Sequence, residues 1–139
     1  ANVRLNNIAE ASADYDRALE LSPKLPSYWN ARCWFRATMS IDLDLALADC
    51  EQALNLKPGF APAMDSRAFV LLRLGRLEDA LAAYNKAIAA ETRYAWPYFG
   101  RGIVKKRLGD EAGATADFTK AEALQPGIAQ QYANYGETP

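Results

Sequence analysis

Small and large apolar residues recur along this chain at a long, nearly fixed interval. Ala46, Ala80 and Ala114 stand 34 residues apart, and Ala53, Ala87 and Ala121 keep the same step. Ala11 and Ala18 carry both series backwards with a step of 35. Between the paired alanines sits a larger residue: Tyr15, Cys50, Tyr84 or Phe118. The pattern Ala-x3-Tyr-x2-Ala places its members at i, i+4 and i+7, on one helical face. The small ends let a neighbouring helix come close, and the large middle residue fills the space beside it.

A second helix precedes each of the last three of these. A punctuating series, Pro23, Pro58, Thr92 and Pro126, is spaced 35, 34 and 34. Six residues after its first three members stand Trp29, Met64 and Tyr98, followed by Arg32, Arg67 and Arg101, each with a small neighbour in Cys33, Ala68 or Gly102. Leu74-Gly75 and Leu108-Gly109 close their helices, Gly being suited to a left-handed cap. Ser40 takes that place in the second unit, where one extra residue lies between Arg36 and Ala46. The pattern predicts helix pairs at 26–38 and 42–56, 61–73 and 77–90, and 95–107 and 111–124, after a lone helix near 6–21. After Pro126 the chain copies the start of another first helix, with Tyr132 and Gly136 in phase.

Composition narrows the function classes. The chain of 139 residues is half hydrophobic and a quarter charged, the balance of a folded domain. Abundant Ala and scarce β-branched residues favour helix. A net charge of −1 lacks the basic surplus of a phosphate binder, despite the local cluster Lys105, Lys106 and Arg107. No run of 18 apolar residues suits a membrane span. With no histidine, Ser-His-Asp and Cys-His catalysis are excluded within this chain. The expectation is a non-enzyme without cofactor or metal. The chain starts at Ala1 without Met, so the compartment stays open, with the cytoplasm slightly favoured.

The period of 34 with A-x3-F-x2-A and a following Pro resembles the tetratricopeptide repeat. The match is strong in the second helices, at Ala11, Tyr15 and Ala18, at Ala46, Cys50 and Ala53, at Ala80, Tyr84 and Ala87, and at Ala114, Phe118 and Ala121. It is looser in the first helices, where Arg32, Arg67 and Arg101 replace the usual Leu, and Arg36, Leu71 and Lys105 the usual Tyr. The resemblance implies an all-α fold, a right-handed α-solenoid of antiparallel helix hairpins. Its units fall at 1–22 (a partial first repeat), 23–57, 58–91, 92–125 and 126–139, a capping or partial helix. Leu5-Asn6 aligns with the two Leu-Gly turns, which leaves only Ala1 to Arg4 of a first helix.

In proteins similar to this one, first helices line a concave groove that holds a peptide or partner helix. Carried over, the groove positions are Ser27, Asn30, Trp34 and Ala37, then Pro62, Asp65, Phe69 and Leu72, then Trp96, Phe99, Ile103 and Lys106. Trp34, Phe69 and Ile103 share one phase and are expected to form an exposed apolar row, widened by Trp96 and Phe99 and rimmed by Asp65, Arg73, Lys106 and Arg107. The peptide-binding set is therefore Asn30, Trp34, Asp65, Phe69, Leu72, Arg73, Trp96, Phe99, Ile103 and Lys106. The carboxylate clamp of chaperone-cofactor relatives is not matched: its positions hold Asn30 and Trp34, Ser66, and Trp96 and Gly100, without the cations it needs. An apolar or helical protein ligand fits better, and nucleic acid and membrane insertion are not expected. Self-association through the uncapped N-terminal end, or a regulatory fragment of a longer protein, is the alternative.

Three regularities have structural readings. Arg32, Arg67 and Arg101 recur on first helices, and Asp14, Asp49 and Asp117 stand just before the central large residue of three second helices, so ion pairs between adjacent helices are favoured over a ligand ladder. Cys33 and Cys50 occupy packing positions and are expected as two buried thiols, with a disulfide as the lesser reading. Asp42, Asp44, Glu78, Asp79, Asp110 and Glu111 sit at helix starts, where negative charge suits the helix dipole.

Overall fold

A computed structural model describes residues 2–139, with side chains from Leu5 onward. The described residues form eight helices: α1 (Asn2–Leu21), α2 (Pro26–Met39), α3 (Leu43–Leu56), α4 (Ala61–Arg73), α5 (Leu77–Ala90), α6 (Ala95–Arg107), α7 (Glu111–Leu124) and α8 (Ile128–Asn134). The six paired helices lie within a residue of the ranges the pattern predicts. They form three antiparallel hairpins, α2 with α3, α4 with α5 and α6 with α7. The first helices α2, α4 and α6 line up side by side, and α3 and α5 bridge to the next hairpin from behind. The fold is a right-handed α-solenoid.

The hairpin turns follow from backbone chemistry. In each, the first helix ends in a pair of reverse hydrogen bonds: Ile41 N to Arg36 O with Ser40 N to Ala37 O, Arg76 N to Leu71 O with Gly75 N to Leu72 O, and Asp110 N to Lys105 O with Gly109 N to Lys106 O. This motif needs one left-handed residue, and Gly75 (φ 77°) and Gly109 (φ 93°) supply it without a Cβ penalty. Ser40 supplies it at φ 53°, and the extra residue of that turn brings a second left-handed residue, Asp42, at φ 45°. At the other end, Trp29 Nε1 donates to Pro23 O at 2.8 Å and Tyr98 Oη donates to Thr92 O at 2.9 Å, so two first helices tie back to the turn before them.

Small residues set how close the helices come. Ala37, Ala46, Ala53, Ala68, Ala80, Ala87, Ala114 and Ala121 are all buried. A Cβ on Gly102 would lie 2.6 Å from Phe118 Cε1, and one on Gly100 would fall on the Tyr84 ring. The contact between a small residue on a first helix and a ring on its second helix is thus part of the hairpin interface. In the second unit the same pair of positions holds Cys33 and Cys50. Their Cα atoms are 5.5 Å apart, and the two are joined in a disulfide. This corrects the expectation of two free thiols. The physical reason is that a small–large contact brings the two backbones within bridging distance.

The ion pairs sit where the regularity places them, with one gap. Asp49 accepts from Arg32 Nε at 3.0 Å and Nη2 at 2.8 Å, and from Arg36 Nη1 at 2.7 Å. Asp117 accepts from Arg101 Nε at 2.8 Å and Nη2 at 2.7 Å, and faces Lys105 Nζ at 3.1 Å. These bonds hold the Arg32 and Arg101 guanidiniums above their ordinary range. In the third unit Ala83 replaces the aspartate and Leu71 the second cation, and both are buried. Among the described residues Arg67 then pairs only with the exposed Glu51, at 3.8 Å. Asp14 is exposed, and Arg32 pairs with Asp16 instead, at 2.9 Å.

One boundary differs from expectation. α1 runs unbroken through Leu5-Asn6, where the alignment with Leu74-Gly75 implies a turn. Asn6 does not adopt positive φ, and without that the helix continues.

Candidate functional site

The concave side is built from α2, α4 and α6. Pro lies in the first turn of α2 and α4, where its missing N–H costs nothing. The aromatic row that the sequence places here is present, but it is not open. α8 turns its tyrosines inward across it. The Tyr132 ring lies 5.9 Å from Phe69, 5.0 Å from Trp96 and 4.7 Å from Phe99, centroid to centroid. The Tyr135 ring meets Trp34 edge-on at 5.6 Å. Tyr132 Oη donates to Trp96 O at 2.7 Å, rather than back to its own turn as Trp29 and Tyr98 do. The polar residues Gln130 and Asn134 face outward and bond each other at 3.0 Å.

The segment after α8 is pinned by charge. Glu137, almost fully buried, faces Arg107 Nη2 at 2.6 Å and Arg73 Nε at 3.4 Å. Arg73 also donates to Tyr135 O and to Ser40 Oγ, and its guanidinium lies 4.9 Å above the Phe69 ring. Burial lowers the Arg73 pKa, and Glu137 opposes that shift.

Expected groove residues therefore divide into two sets. Phe69 (0% exposed), Phe99 (1%), Ile103 (1%) and Leu72 (2%) are core, which corrects the expectation of an exposed apolar row. The reason is that rings on a concave face expose too much apolar surface to stay open when Tyr132 and Tyr135 lie within reach. Arg73 is committed to the α8 segment, and Lys106 is exposed on the far end of α6. The second set, Asn30, Trp34, Asp65 and Trp96, surrounds a pocket of about 280 Å³ together with Ala31, Pro62, Ser66 and Tyr94.

This pocket has an unusual polar balance. Asp65 is 2% exposed, and its Oδ1 has no hydrogen-bond partner. Among the described residues no lysine or arginine pairs with it. Burial pushes its pKa up to about 8. Burial and then the Asp65 charge raise the Tyr94 phenol in turn. Asn30 Oδ1 is likewise buried without a partner. The described residues contain no group of three His, Cys, Asp or Glu placed to hold a metal.

Sequence reasoning misses three participants here: Tyr94, Tyr132 and Tyr135. The signal for the last two is their i, i+3 spacing, which puts Tyr132 on α8 and Tyr135 at its C-cap on the same side.

Comparison with known proteins places the chain in context. A family profile described as "TPR repeat" matches residues 68–109, and one described as "Tetratricopeptide repeat" matches 1–25. A TPR repeat-containing thioredoxin, TTL4 of Arabidopsis thaliana, is 42% identical over 77 residues, covering 55% of this chain and 11% of that protein. The small glutamine-rich tetratricopeptide repeat-containing protein 2 of Mycosarcoma maydis is 26% identical over 103 residues, or 74% of this chain and 29% of that one. The chain thus spans under a third of the length of either relative. The solved TPR protein TTC0263 of Thermus thermophilus superposes with a TM-score of 0.80 at 22% identity, over 96% of this chain and 77% of that one, a likeness of fold. With its 34-residue hairpin period, its solenoid fold and these matches, the chain belongs to the tetratricopeptide-repeat family.

Proposed function

We propose that the protein is a non-catalytic interaction scaffold that takes a peptide segment of a protein partner on its concave face. The observation that carries this reading is the pocket between α2, α4 and α6. It stays open where α8 has covered the rest of the row, and two tryptophans and an unpartnered carboxylate line it. Tryptophans in such pockets are the usual anchors of binding energy. Within the set drawn from the sequence, Asn30, Trp34, Asp65 and Trp96 are the contact residues of this reading. Phe69, Leu72, Phe99 and Ile103 support them from beneath.

The test is capture of partner proteins by the chain and by Ala31→Trp. Ala31 lines the pocket and is partly exposed, so the larger ring fills the space without removing a core contact. Partners held by the wild type and lost by a fully helical Ala31→Trp support the reading. Partners held equally by both overturn it.

A second reading, self-association through the N-terminal end, is favoured by a different observation. Leu5, Leu21, Leu25, Tyr28 and Leu45 are exposed, and Asn7, Ile8, Phe35 and Met39 line an apolar hollow between α1 and α2. Light scattering over a concentration series decides it. A mass that rises in the wild type and stays constant in Leu21→Lys/Leu25→Lys supports assembly, and a constant wild-type mass removes it.

A further inference from the structure

The concave pocket offers acceptors without donors of matching charge. Asp65 and Asn30 present oxygens that nothing in the protein satisfies. No lysine or arginine is among the lining residues, and the rings of Trp34, Tyr94 and Trp96 form part of the walls. An oxygen so placed favours a ligand that brings N–H groups, and a carboxylate favours one that also brings positive charge. The aromatic walls favour the same ligand, because a ring face attracts a cation while its edges seal the stem from water. An anionic or purely apolar occupant leaves both oxygens unpaired.

We propose that this pocket receives a lysine or arginine side chain of the bound peptide, its cationic head against Asp65 and Asn30 and its stem along the Trp34 and Trp96 rings, which meet edge to face 5.6 Å apart. The inference rests on the peptide-scaffold reading and names the residue class that anchors the peptide.

A proton is linked to this step. In the empty pocket Asp65 is largely protonated at neutral pH, because burial opposes its charge. A bound cation favours the carboxylate, so binding near pH 7 releases the Asp65 proton to solvent. The titratable groups whose electrostatics couple to Asp65 are the phenols of Tyr84 from α5, Tyr94 before α6 and Tyr132 from α8. All are raised by burial and stay neutral over this range, which leaves Asp65 as the group that titrates.

The experiment titrates the full chain with three alanine-based pentapeptides, whose central residue is lysine, arginine or norleucine. It follows the indole N–H resonances of Trp34 and Trp96 by NMR, and proton release by calorimetry in buffers of different ionisation enthalpy. The expected result is saturable shifts of both indoles with the lysine or arginine peptide, with proton release at pH 7. Affinity is expected to be at least ~tenfold weaker for the norleucine peptide and for Asp65→Asn. Equal affinity for the norleucine peptide overturns the inference, as does unchanged lysine affinity in Asp65→Asn, or no indole shift with either basic peptide. The norleucine comparison on the wild-type chain decides the matter even where Asp65→Asn fails to fold. Partner capture that is lost in Ala31→Trp, together with indifference to the central residue, removes the cation while keeping the scaffold. Capture that survives Ala31→Trp removes the scaffold reading itself.

Discussion

Trp34 on α2 and Tyr135 just after α8 meet edge to face, with ring centroids 5.6 Å apart. They belong to the first complete hairpin and to the segment that follows the last described helix. A linear stack in which each hairpin touches only its neighbours contains no such contact. It exists because α8 turns across the concave face and lays Tyr132 and Tyr135 on the aromatic row. The concave face is therefore part core and part pocket, and the two parts respond differently to substitution.

Tyr132 is fully buried among Phe69, Trp96 and Phe99. Replacing it with alanine removes a ring from a packed cluster. The expected cost is ~3–5 kcal/mol, the usual range for truncating a buried aromatic. Urea unfolding of Tyr132→Ala, read as a shifted midpoint at constant slope, checks this. An unchanged midpoint would place α8 away from the groove in solution.

The Cys33–Cys50 bridge closes a loop of 17 residues, for which loop entropy alone supplies ~3 kcal/mol. Thiol titration of the unfolded, non-reduced chain is expected to find no free thiol, and reduction to lower the unfolding midpoint. The homologous positions in the third unit hold Ala68 and Tyr84. Cys33→Ala/Cys50→Tyr copies that solution, and it is expected to recover more stability than Cys33→Ala/Cys50→Ala. Equal stability of the two double variants would show that the unit does not accept its neighbour's packing.

Asp49 holds Arg32 and Arg36 while itself nearly fully buried. Asp49→Ala leaves two half-buried cations facing each other, and the expected loss is ~3 kcal/mol or more. Arg67→Ala breaks only the long pair with the exposed Glu51 and is expected to cost under ~0.5 kcal/mol. Thermal unfolding of the two variants side by side measures the contrast. Similar losses would mean that the arginines act through their stems rather than their charge.

Asp65 carries a pH signature. Its pKa rises from the ordinary 3.8 to about 8 on folding. Between those values the folded chain keeps a proton that the unfolded chain has released. This contribution is thus fully present below about pH 4 and is lost as pH rises towards 8. Asp65→Asn has no such dependence. It is expected to match the wild type near pH 4 and to exceed it by ~1–4 kcal/mol at pH 8 to 9. Urea midpoints at pH 4, 6 and 8 test this, and a constant difference would mean that Asp65 has found a partner in solution.

Most of the fold is legible in the sequence because the alanine positions admit a neighbouring helix at only one phase. Ala46, Ala80 and Ala114 thus locate the second helices, and Gly75 and Gly109 locate the turns before them. The Arg32–Asp49 and Arg101–Asp117 pairs are legible for the same reason, since two periodic series on facing helices must meet. The Cys33–Cys50 bridge is not, because a pattern reports that two positions are near but not that their backbones approach within bridging range. The burial of Phe69 and Phe99 is hidden for another reason. It depends on α8 leaving the phase of the first helices, and the period itself predicts that it keeps that phase. The pocket residues Asn30, Trp34 and Trp96 are reachable from family phase alone, whereas Tyr94 lies in a turn that no periodicity describes.

The crossing of α8 also bears on how the protein comes into being. A stack of hairpins can consolidate one unit at a time as synthesis proceeds, each new pair docking on the last. Here Phe69 and Trp96 are covered in part by Tyr132, and among the described residues Arg73 finds its counter-charge in Glu137. Until residues 128–137 have left the ribosome, the nascent solenoid carries a greasy, half-built face. That interval is when a chaperone has something to hold.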